Sequence, residues 1–319
     1  MVGWLQQLWD TITAVSVPLL VLGIAFQTAQ TLFVALAWRN ILRAAYPESN
    51  VTYRPVMRYY AGGVGLNAIL PASAGTVAML GFFRSSIAGS TVAGLVGATV
   101  VENIFFVFVS ILVYGWLFFG VAGSFEVHFG WFADHPVASV VILVAGGVLI
   151  FIAGRILYRR FKTTWENAKE GGAILADRRK FLVQVVGVEA VSYAARMGVN
   201  ATFMQAFHVP VSVTNVFLIV AASSISSTVA VLPGAAGAQT ALASVVLHGV
   251  APQSVITAYT VGQALITTAW NVAFGLGALA HQIGWAETRK LVHRRRKEKE
   301  KETEAAVVAD DAAATPARE

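Results

Sequence analysis

The chain has 319 residues, of which 56% are hydrophobic and 13% charged, and its mean hydropathy is +0.66. Soluble domains carry about 25% charged residues; half that leaves too little polar surface to coat a globule, so composition excludes a soluble enzyme. Cysteine is absent, which excludes disulfides, zinc–thiolate sites, iron–sulfur clusters and thiol nucleophiles. The net charge of +6 reads as basic loops on the cytoplasmic side of a membrane, not as a nucleic-acid surface.

Seven charge-poor stretches follow in order. Residues 11–38 run for 28 positions without a charge, more than the roughly 20 needed to cross a bilayer, and predict a first span over 12–42. No basic n-region precedes it, so it is expected to stay in the mature chain. Residues 59–83 are also uncharged, but they hold five glycines and the sequence Ile69-Leu70-Pro71 near their middle, where a proline breaks the helical ladder. A third stretch, 89–119, contains Glu102. A fourth covers 136–154. The fifth, 181–207, carries Glu189 and Arg196. The sixth, 214–247, is broken by Leu232-Pro233-Gly234, and the seventh is 254–282. Residues 286–319 form a charged segment expected to be a disordered cytoplasmic tail, which leaves 1–285 as the membrane domain.

Lysine and arginine orient these stretches. Four arginines (39, 43, 54 and 58) fall between the first and second stretches, Arg84 follows the second, eight cations lie in 155–180 and nine after 288; residues 121–135 have none. If all seven stretches crossed, the basic 39–58 and 155–180 segments would lie on opposite sides. If the two proline-broken stretches instead enter and leave on one face, 22 of the 23 basic residues are cytoplasmic, with the N-terminus outside, the C-terminus inside, and Arg196 within a span. The predicted fold is therefore an all-α polytopic membrane protein with about five spanning helices and two re-entrant helical hairpins, which are tolerated only where buried in protein or lining a wet cavity. The sequence Leu70-Pro71-Ala72-Ser73-Ala74-Gly75 recurs as Leu232-Pro233-Gly234-Ala235-Ala236-Gly237, at an offset of 162. Each copy sits mid-hairpin between two longer spans. The halves, about 12–119 and 181–282 with an extra helix at 136–154, are then inverted, an arrangement typical of secondary transporters.

Each hairpin's second half starts after its proline, which places backbone N–H donors and a positive dipole end within the membrane, a setting suited to an anion such as phosphate. Ser73 and Thr76 add hydroxyls in the first hairpin; Gln239 and Thr240 add polar groups in the second. Gly75 and Gly237 allow close backbone approach. Glu102, Glu189 and Arg196 are the intramembrane charges; an unpaired one costs about 2.5–3.5 kcal/mol on insertion scales, so each should meet a partner or water. Glu189 and Arg196 are two turns apart and border one face without pairing directly. They read equally as a substrate path or as a structural lock. The arginines at the mouth of the first hairpin read either as topology signals or as collectors of anionic lipid head groups. No Walker motif, Ser-His-Asp arrangement or paired-carboxylate metal site is present, so no cofactor and no metal are expected.

The run from Asn67 through Pro71 to Gly75 resembles the N-x-x-x-P-x-x-x-G hairpin of the lysylphosphatidylglycerol synthase transmembrane region, or flippase-like domain. Glu102 resembles that family's glutamate in E-R-x-x-D, and Pro233, Gly234 and Gly237 resemble its P-G-G-x-G-x-x-E motif. The resemblance covers about residues 10–285. It departs at Ser73 and Thr76, where the family often has Arg and Glu, at Asn103 and Phe106 after the helix glutamate, and at Thr240 in place of the second hairpin's Glu. Charge-based handling of the head group is thus reduced. The resemblance implies lipid translocation across the cell membrane without synthase chemistry, since no aminoacyl-transferase domain is expected after residue 285. The expected substrate is a phosphate-bearing lipid, either a modified phospholipid or a polyprenyl-phosphate-linked sugar. The expected partners are membrane lipids and an envelope-biosynthesis enzyme. A transporter or channel for a small anion, and a non-catalytic scaffold for envelope assembly, stay open as alternatives.

Overall fold

The structure is a computed structural model that describes residues 15–70, 74–120, 169–229 and 235–284. The predicted helix at 136–154, the 121–135 loop and the tail after 285 lie outside the described residues. Eight helices are long enough to organise what is described: α1 Val17–Ala45, α2 Tyr53–Ile69, α3 Ala74–Ser86, α4 Val92–Gly120, α5 Arg178–Ala206, α6 Val213–Val229, α7 Ala235–Val246 and α8 Gln253–Ile283. No strand occurs among the described residues, and the chain is an all-α polytopic membrane protein. Among the described residues, four helices are long and apolar enough to cross a membrane: α1, α4 over Val92–Val113, α5 and α8.

Local chemistry sets the ends. Pro18 stands in the first turn of α1, where its missing N–H costs nothing. Leu70 ends α2 in an extended conformation, φ −104° and ψ 140°, as the residue before a proline must. Asp177, Thr91 and Ser212 act as N-caps: their side-chain oxygens accept from the backbone N–H of Lys180, Gly94 and Asn215 at 3.0, 2.9 and 3.1 Å. Gly284 closes α8 at φ +89°, a left-handed position that glycine takes without strain. One difference from expectation lies in α2, which begins at Tyr53, so Arg54 and Arg58 stand on its first turns and not in a loop. Arg58 Nη1 donates to Gln282 Oε1 at 2.9 Å.

The helix lengths repeat. They run 29, 17, 13 and 29 residues in α1–α4 and 29, 17, 12 and 31 in α5–α8. The helix starts are offset by 161, 160, 161 and 161 residues, against 162 between the prolines in the sequence. The long helices exceed the roughly 30 Å hydrocarbon core, while α3 and α7, at about 20 and 18 Å, fall short of it.

Gly23 of α1 meets Thr202 and Phe203 of α5, Phe26 meets Gly198, and Asn40 Nδ2 donates to the Gln184 carbonyl at 2.8 Å. The two lead helices are therefore antiparallel. Within the first short pair the register also runs antiparallel. Asn67 lies beside Thr76, Gly63 beside Met79, and Tyr59 against Phe82 and Phe83, with ring centroids 5.3 and 6.2 Å apart. The second short pair, α6 and α7, packs together, and α7 then runs antiparallel to the start of α8, with Gln253 bonded to Ser244 and Thr260 to Thr240. The end of the bundle holding the C-terminus of α1 and the N-terminus of α5 carries Arg39, Arg43, Arg178, Arg179 and Lys180. The outer ends of α2 and α3, with Arg54, Arg58 and Arg84, share it. The α6–α7 pair starts from the opposite end, where α5 finishes.

Two apolar clusters hold the bundle. The first joins Trp38, Leu66, Phe83 and Leu279, with Trp38 and Phe83 ring centroids 5.5 Å apart. The second joins Phe203, Phe207, Leu247 and Tyr259. Across the halves α2 lies closely on α8: a side chain at Gly65 would strike the Asn271 carbonyl and Gly275, and one at Gly275 would strike the Ala61 carbonyl. Small residues let backbones approach in this way where lipid gives no hydrophobic drive.

Candidate functional site

Glu102 on α4 and Glu189 on α5 come from different halves and from nearly the same depth. Each is ten or eleven residues into its helix from the basic end, about 15 and 16 Å by helical rise. They lie within electrostatic reach of each other and of Tyr60 on α2. One turn further on, the same faces meet again as an edge-to-face contact of Phe105 and Tyr193, 6.3 Å between centroids. Glu189 is fully buried and Glu102 is 9% exposed. Among the described residues, neither carboxylate oxygen of Glu189, nor the hydroxyl of the fully buried Ser192 three residues on, has a hydrogen-bond partner. Two buried carboxylates within electrostatic reach of each other are costly unless a proton, a cation or a hydrogen-bond donor meets them. The arrangement can therefore take up a donor-bearing group. Arg196 is half-buried two turns along α5, and interacts with neighbours of its own.

At the tip of the first pair, Asn67 and Thr76 are brought together. Asn67 Oδ1 accepts from the Thr76 backbone N–H at 3.2 Å, and Asn67 Nδ2 donates to Thr76 Oγ1 at 3.0 Å. The asparagine thus caps α3 across the turn. Gly75 is buried against the Gly63 carbonyl and Asn67, so its missing side chain is used by helix–helix packing. Pro71, Ser73, Pro233 and Gly234 lie outside the described residues. Gly237 and Gln239 lie within α7. Thr240 sits 3.4 Å from the Thr260 hydroxyl.

Several polar residues were not anticipated. Tyr60 joins the glutamates. Gln263 Nε2 and the Tyr259 hydroxyl both donate to Asn200 Oδ1, at 3.2 and 3.4 Å. Gln27 Nε2 donates to Asn271 Oδ1 at 3.2 Å, and Trp270 Nε1 to Thr28 Oγ1 at 2.9 Å. The repeat carried a signal for two of them: an offset of 161 takes Glu102 to Gln263 and Thr28 to Glu189. Each half thus carries an amide or hydroxyl group at the position where the other half has a carboxylate.

Two four-helix halves of matching helix lengths, with antiparallel lead helices and buried polar residues, define a polytopic all-α membrane protein. The chain belongs to the family of the lysylphosphatidylglycerol synthase TM region, whose family model matches residues 1–275. No curated protein and no solved structure matches it.

Proposed function

We infer that the protein is a flippase that moves a phosphate-bearing lipid between the leaflets of the cell membrane, without chemical change to it. The observation that carries this reading is the carboxylate pair contributed by opposite halves at mid-depth, in a chain of this family. Inverted repeats place their substrate sites at the repeat interface near the bilayer midplane. On the positive-inside rule, the basic end is cytoplasmic, α2–α3 is a re-entrant pair opening inward, and α6–α7 is one opening outward. A head group that brings hydroxyls or an amine beside its phosphate supplies the donors that Glu189 lacks among the described residues. A modified phospholipid and a polyprenyl-phosphate-linked sugar both meet that condition. The same carboxylates oppose a free anion, which weighs against a small-anion channel.

The test uses the full chain in proteoliposomes holding a fluorescent phosphatidylglycerol. Membrane-impermeant reductant should bleach more than the outer-leaflet fraction with wild-type protein, and only that fraction with Glu102→Gln/Glu189→Gln. Iodide entry without lipid exchange would reject the flippase in favour of an anion pathway.

A further inference from the structure

A polar cleft lies at the basic end, about 15 Å of helix away from the glutamates. Its volume is about 530 Å³, and it is bounded by the last turns of α1, the 3-10 turn Ala173–Ala176 and the first turns of α5. Arg39, Arg43 and Lys180 supply the cations and Asp177 the one acid. Asp177 is already engaged. Its Oδ2 is 3.1 Å from Lys180 Nζ and its Oδ1 accepts from the Lys180 N–H at 3.0 Å, and these contacts hold its carboxyl below the usual range. The acid and the lysine thus largely cancel, which leaves two guanidinium charges on the cleft.

Arg39 is fixed in place. Its Nη1 donates to Asn40 Oδ1 at 3.0 Å, and Asn40 is itself pinned by the bond from its Nδ2 to the Gln184 carbonyl. That carbonyl lies in the single π-type turn of α5, Leu182–Val186, where the shifted hydrogen-bond pattern releases an acceptor; such turns recur at functional sites. The Nε of Arg39 is buried and has no hydrogen-bond partner among the described residues. A buried donor without an acceptor is costly and rare, and Arg39, which lines the cleft and commits one Nη to Asn40, keeps further guanidinium donors for a tetrahedral oxyanion.

We propose that this cleft binds a phosphate group, with Arg39 as the fixed donor and Arg43 as the second charge. The site stands apart from the carboxylate pair and does not require that the bound molecule be moved. Its ligand is the phosphodiester of an anionic lipid head group or a free phosphate.

The experiment measures thermal unfolding of the full chain in an uncharged detergent, titrated with short-chain phosphatidylglycerol, inorganic phosphate or short-chain diacylglycerol. Phosphatidylglycerol or inorganic phosphate should raise the melting temperature saturably, and diacylglycerol should not. Response to phosphatidylglycerol alone assigns a lipid phosphodiester; an equal response to inorganic phosphate assigns the free ion. Arg43→Gln, on an exposed side chain that folding does not need, should raise the half-saturating concentration about tenfold, and Arg39→Gln/Arg43→Gln should abolish the shift. Arg54→Gln, at the same end but outside the cleft, should leave it unchanged. No shift with either phosphate probe, or the same half-saturation in Arg43→Gln as in wild type, overturns the site. Flipping assayed in the same variants separates the two proposals, since loss of the shift with flipping intact leaves the translocation reading standing.

Discussion

Glu102 and Glu189 come from opposite halves of the bundle within electrostatic reach of each other, and neither oxygen of Glu189 is hydrogen-bonded among the described residues. A membrane-buried carboxylate without a cation costs stability, so selection for stability alone would have removed it. Neutralising Glu189 should therefore separate stability from function. Glu189→Gln is expected to melt at or above the wild-type temperature and to flip lipid at least about tenfold more slowly, a loss of about 1.4 kcal/mol of transition-state binding. A variant that both unfolds earlier and flips less would make the glutamate a structural element.

The second prediction concerns the crossing of α2 on α8. Gly65 and Gly275 face each other so closely that a side chain on either meets backbone, and backbone cannot rotate away. Gly65→Val should destabilise by about 1–3 kcal/mol or more, as overpacking does. Gly277, two residues further along α8, has open space where a side chain would project. Gly277→Ala should be neutral or stabilise by up to about 1 kcal/mol through helix propensity. Melting temperatures of the two variants in detergent check both signs.

How far the sequence announced these features depends on what each one needs. Helix positions needed only runs of uncharged residues and prolines, and the described helices start within a few residues of expectation except α2, whose first turns carry Arg54 and Arg58. The repeat was visible in the two Leu-Pro turns. Which faces meet was not. Glu102 invites comparison with Arg196 because both are charged, yet its neighbours are Glu189 and Tyr60, and these depend on how α4 and α5 rotate about their axes. Asn67 reads as a motif residue, and its bonds to Thr76 exist only because α2 and α3 pack antiparallel. Gly75 reads as an opening for an anion, whereas the space it leaves is filled by α2.

Asn67 and Thr76 support a third prediction. Asn67→Ala removes the cap on α3 and the bond to the threonine hydroxyl together, and should cost about 1–2 kcal/mol. Asn67→Asp keeps the acceptor for the Thr76 N–H and adds charge near a helix N-terminus, where an anion is favoured, so it should lose less. If the two variants melt alike, the cap does not stabilise the hairpin.

The last prediction tests the inverted pairs by accessibility, and the absence of native cysteine makes the chain ready for it. Single cysteines at Glu48 and Ser85 lie before α2 and at the end of α3, both exposed at the basic end. Both should react with a membrane-impermeant maleimide only from the cytoplasmic side. Cysteines at His208 and His248 lie in the exposed turns before α6 and after α7. Both should react only from outside. The pairing is what matters: a helix that crossed once in place of α2–α3 would separate Glu48 from Ser85, and one in place of α6–α7 would separate His208 from His248. With α3 and α7 only about 20 and 18 Å long, shorter than the hydrocarbon core, each pair should turn back inside the membrane. Labelling of Ser85 from outside would refute the inward-opening pair, and with it the placement of Glu102 and Glu189 at a common depth between inverted halves.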